Sequence, residues 1–205
     1  MNKPALPRLG AACGAIFAIV LTIAAGNGSQ SFNGARAVAG VAAITVALPF
    51  IAYLCGVLRR AEGPDGWLAT AAFATGITGI VLKLASGVPE LAIARTHLAA
   101  GTQLNQAFGA IGDGLTVLSL YPLALFCAAT AIIAFRTRAL PRWLAAGAAI
   151  SAVALVVNGA ILGAEAVPAL LVFLLWTVLT SVYLLRQSWR RPAPATTRTE
   201  SVARV

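Results

Sequence analysis

Six apolar blocks, each about as long as a bilayer's hydrocarbon core is thick when helical, leave this chain few ways to fold. They occupy 9–26, 36–58, 66–86, a stretch within 107–135, 142–162 and 166–185. A helix needs about 20 residues to cross that core. In lipid it satisfies its own backbone N–H and C=O groups, which an open strand cannot do. The expectation is therefore an all-α fold, a polytopic membrane helix bundle with six transmembrane helices. Composition agrees: 60% of the 205 residues are hydrophobic and only 10% are charged. That leaves too little polar surface to clothe a soluble domain. The first block follows Lys3 and Arg8, as a signal peptide would. Its apolar run is longer than an ordinary signal core, and AAGNGS (24–29) is a poor cleavage site, so it is read as a span.

Charge sets the expected orientation. With six spans, Lys3, Arg8, Arg59, Arg60, Arg136, Arg138, Arg142, Arg186, Arg190, Arg191, Arg198 and Arg204 fall on one side. Only Arg36, Lys83 and Arg95 fall towards the other, a division of 12 against 3. The positive-inside rule then predicts that both termini are cytoplasmic (N-in/C-in) in a multi-pass protein of a cell membrane. The net charge of +9 is accounted for in the same way. The basic residues sit in the gaps between apolar blocks, so the expected partner is the lipid bilayer and not nucleic acid.

Residues 1–186 read as a single six-helix transmembrane domain. Residues 187–205 are basic, contain proline and carry few apolar residues, and are expected to be a disordered cytoplasmic tail. Between the third and fourth blocks, Gly87 and Pro89 are expected to end the span, and Pro89 to open a short interfacial helix. Thr102 is a predicted N-cap for a fourth helix that begins outside the bilayer. Pro122 predicts a kink within it. The segments 61–73 and 137–149 are alike: each follows an arginine pair, then gives Pro, a short gap and Trp-Leu-Ala. They suggest a parallel repeat of two helical hairpins, although Trp and Pro are also common at membrane interfaces for other reasons.

The segment AFRTRALPRWLAAGAAISAVALVV (134–157) resembles a phrase found in uncharacterised multi-helix membrane proteins of actinobacteria. There an arginine-bearing loop leads into LPRWL and a helix of small residues. The segment LNQAFGAIGDGLTVLSLYPLALF (104–126) is similar to the helix that precedes it. The resemblance implies a six-helix integral membrane fold in a bacterial plasma membrane. It implies no activity and carries over no catalytic residue.

The chemistry-bearing residues are few. His97 is the sole histidine, and Cys13, Cys55 and Cys127 all sit inside apolar blocks with no C-x-x-C spacing. No metal site, cofactor or catalytic motif follows from them, and an enzyme is the least supported class. Ser119, Tyr121, Ser151, Thr177 and Ser181 lie in spans without a basic partner. They are expected to bond to their own backbone or to a neighbouring helix. Gly10 with Gly14, and Gly147 with Ser151, read as close helix contacts.

At a rise of about 1.5 Å per residue, Lys83 and Asn158 lie roughly 24 Å from the cytoplasmic side. Asp113 and Glu165 lie roughly 34 and 32 Å from it. Lys83, Asp113, Asn158 and Glu165 therefore form a candidate outer polar cluster. One reading is an outward-facing vestibule for a small molecule or lipid headgroup, with a Lys83–Asp113 pair. The plainer one is that Lys83 snorkels to the headgroups. The alternative function is an accessory or structural protein whose small-residue faces pack against a membrane partner or a second copy.

Overall fold

The computed structural model describes residues 5–26, 34–64, 66–96, 101–162 and 167–190. Among them the chain forms α1 (Ala5–Gly26), α2 (Gly34–Glu62), α3 (Trp67–Thr96), α4 (Gln103–Thr137), α5 (Arg142–Val157) and α6 (Val167–Arg190). A short π-helical segment (Asn158–Leu162) continues α5. There is no strand among the described residues. Five of the helices, α2 to α6, are long and apolar enough to cross a membrane. The 22 residues of α1 span about 33 Å, with an apolar run over Arg8–Thr22.

Each helix packs against its neighbours in sequence, and α6 returns to pack against α1. The result is a closed ring of six helices, drawn in where α2 touches α4. Glycine allows the closest approaches. A Cβ on Gly79 of α3 would lie 2.6 Å from Leu123 Cγ of α4. One on Gly14 of α1 would run into Phe50 of α2 and Ser181 of α6. Gly10 lies against Tyr53 and Gly147 against Trp176, so the three glycines of the small-residue pairs read from the sequence all stand at helix contacts. Trp176 also ties α6 to α5, its indole N–H donating to Leu144 O at 3.1 Å.

One end of the ring carries the arginines. Arg8 at the start of α1 lies 4.9 Å over the ring of Trp189 at the end of α6. Two tight turns, after α2 and after α4, sit at the same end, beside Arg59, Arg60, Arg136 and Arg138. Trp67, Trp143 and Trp189 are all exposed there, the placement of an interfacial aromatic belt. The two turns use the same device, a left-handed residue just past the helix: Gly63 at φ 96° and Arg138 at φ 56°. After α2, the Glu62 carboxylate also accepts from Leu68 N (3.3 Å) and Ala69 N (2.8 Å), capping the first turn of α3.

Three expectations change. Pro89 does not start a new helix, because α3 runs unbroken from Trp67 to Thr96. The helix is sustained by packing: Pro89 is buried, and Gly112 of α4 leaves room for it and for Ser86 O. Helix α6 continues to Arg190, four residues into the segment expected to be disordered; 191–205 lie outside the described residues. The fifth span changes from α to π winding at Asn158, which no sequence signal announces. Helix α4 begins as expected, with Thr102 Oγ1 accepting from Asn105 N at 3.3 Å.

Candidate functional site

Lys83 lies on the fifth turn of α3, and its side chain turns into the bundle. Its Nζ donates to Thr116 Oγ1 of α4 at 3.0 Å. The register that permits this is set by the glycine contacts of the same seam. Gly79 meets Leu123, Lys83 meets Thr116 and Ser86 meets Gly112, so the numbers rise on α3 as they fall on α4. The two helices are antiparallel, and their close approach brings Lys83 across to α4.

Lys83 and Thr116 line a cavity of about 120 Å³. Ser119 and Asn158 complete its polar side. Ser119 is fully buried, and its Oγ donates to Thr116 O at 2.6 Å. Asn158 is 3% exposed and stands where α5 passes into the π segment. A π turn holds an extra residue and re-aims the side chains beside it, and here it coincides with the polar side chain that reaches the cavity. The opposite side is apolar: Phe17 and Leu21 from α1, Ile44 from α2, and Leu170 and Phe173 from α6. Each segment of the ring thus contributes to one central space. Lys83 is the one charged residue among those that line it.

Of the four residues of the expected cluster, Lys83 and Asn158 meet at this cavity. Asp113 is exposed on α4, about one turn beyond Thr116, and is not part of the lining. Glu165 lies outside the described residues, as does His97. Thr116 was missed by sequence reasoning, and Ser119 was read only as a backbone-bonded hydroxyl. Their spacing of three on one helix opposite Lys83 was the available signal, but it needs the α3–α4 register to be seen. Among the described residues no group of three or more His, Cys, Asp or Glu could hold a metal. Ser151 and Thr177 bond to carbonyls of their own helices, as expected of them.

The fold and site thus define an apolar helical bundle of the kind found in integral membrane proteins, with one charged group turned into its interior. No protein-family model, curated protein or solved structure matches the chain.

Proposed function

We propose that this chain is an integral membrane protein of a bacterial plasma membrane, with both termini cytoplasmic and its central cavity in the outer half. There it binds a small molecule or a lipid headgroup. The observation that carries this reading is Lys83: its ammonium turns inward to Thr116 at a cavity lined from all round the ring. A lysine on a spanning helix that faces the interior marks a ligand or substrate path more often than a structural role. The wall chemistry suits an amphiphile, with polar groups on α3, α4 and the π segment and apolar ones on α1, α2 and α6. A space of this size takes a compact group of roughly benzene's dimensions. The test is thermal unfolding of the detergent-purified protein against headgroup analogues and small carboxylates. At least one should raise the midpoint of the wild type and fail to raise that of Lys83→Met. If no compound separates the two proteins, ligand binding at Lys83 is refuted.

The accessory reading also has an observation behind it. Gly114 of α4 is exposed, a Cβ there would meet nothing within 4 Å among the described residues, and Ala110 one turn earlier is exposed too, a small-residue face open to a partner helix. It predicts a protein that co-purifies in gentle detergent and is lost from Gly114→Leu.

A further inference from the structure

Below the cavity the bundle interior is polar a second time. Among the described residues, Thr130 on α4 and Thr180 and Ser181 on α6 are buried, and their hydroxyls have no hydrogen-bond partner. That is unusual for this chain. Thr22, Thr78, Ser151 and Thr177 each donate to the carbonyl one helical turn earlier. A hydroxyl on a helix has that partner within reach. A buried polar atom that forgoes it calls for another partner, such as ordered water.

The three oxygens share one depth. Thr130 stands six residues before Arg136, and Thr180 six before Arg186. Ser181 abuts Gly14, which is six residues after Arg8. All three are then about 9 Å inside the basic end. Helices α4 and α6 run parallel, and Leu120 and Leu170, Leu123 and Phe173, Phe126 and Trp176, and Thr130 and Thr180 each differ by 50. The first two pairs line the cavity. The third is an edge-on aromatic contact, centroids 6.1 Å apart, with Phe173 packed on the same indole at 6.0 Å. The fourth is the hydroxyl level. Along the axis the order is cavity, aromatic layer, hydroxyls.

We propose that Thr130, Thr180 and Ser181 hold water inside the bundle, as a second polar compartment that Phe126, Phe173 and Trp176 close off from the cavity. The compartment is suited to water or a solute of the same chemistry, small, uncharged and able both to give and to accept a hydrogen bond. The proposal rests on the membrane reading and on the cavity being solvent-accessible, and the test tells its failure from that of the cavity.

The protein is first freed of Cys13, Cys55 and Cys127. Ser119→Cys then reports the cavity, Thr180→Cys the hydroxyl level and Leu155→Cys a buried apolar control. The reagent is a small neutral one, methyl methanethiosulfonate, which reacts at useful rates only with a thiol hydrated enough to ionise. Ser119→Cys should react, and Thr180→Cys should react at least tenfold faster after Phe126→Ala than before it. Leu155→Cys should stay inert throughout. Thr180→Cys remaining inert after Phe126→Ala, while Ser119→Cys reacts, overturns the proposal. Equal reaction of Thr180→Cys with and without Phe126 overturns the closing layer. An inert Ser119→Cys defeats the cavity reading instead. In that event Thr130→Val and Thr180→Val decide the hydroxyl level. These near-isosteric changes lower the unfolding midpoint if the hydroxyls hold water, and an unchanged or raised midpoint refutes it.

Discussion

The two ends of this ring are built on different terms. At the basic end two tight turns follow left-handed residues, one turn is sealed by a carboxylate cap, tryptophans stand outward, and glycines let helices touch. At the other end the helices enclose a cavity, one of them changes winding, and a lysine is turned inward. The turns and glycine contacts of the basic end hold the helices together, which lets the other end keep open space and a charge where a packed core would have neither. If that division is real, substitutions at the basic end should act on stability and those at the cavity on binding.

The largest effect is expected from Trp176, which fills the space between α4, α5 and α6. Trp176→Ala should cost about 3–5 kcal/mol in detergent unfolding. Trp176→Phe should cost about 1–3 kcal/mol, since it retains much of the ring and loses the bond to Leu144 O. Next comes Gly14→Ala, whose added methyl meets both Phe50 and Ser181. Overpacking of that kind should lower stability by about 1–3 kcal/mol. A smaller loss, about 0.5–2 kcal/mol, is expected for Glu62→Ala, which uncaps α3. Arg138→Gly should run the other way and raise stability by about 1 kcal/mol, because glycine adopts the left-handed conformation without a Cβ clash. Lys83→Met should move the midpoint least, since the desolvation cost of an ammonium turned into an apolar bundle offsets its bond to Thr116. It should nonetheless abolish any ligand-induced rise. A Lys83→Met protein as unstable as Gly14→Ala would erase the distinction between the two ends.

The sequence conveyed depth better than direction. Block lengths foretold the helices, and counting residues at a fixed rise put Lys83 and Asn158 at one level; both line the same cavity. The same count included Asp113, which is near in depth but faces outward. The reason is physical. In a water-soluble helix an apolar stripe marks the inner face, but a spanning helix meets lipid outside and side chains inside, and both are apolar. Azimuth then depends on which small residues let helices close. Gly79 against Leu123 fixes the register of Lys83 to Thr116 only once the two helices are seen together. Thr102 was legible because a cap is a local event. The unbroken passage of α3 through Pro89 was not, since it depends on Gly112 of the next helix.

The contact between Arg8 and Trp189 has a consequence for assembly. Neighbours in sequence can pair as soon as each leaves the ribosome, but α1 has to wait for α6. Until then the hollow at Gly14 can be occupied from Phe50's side alone, and Ser181 arrives as its last wall. Assembly of this bundle therefore closes at α1, with five helices held open for the sixth.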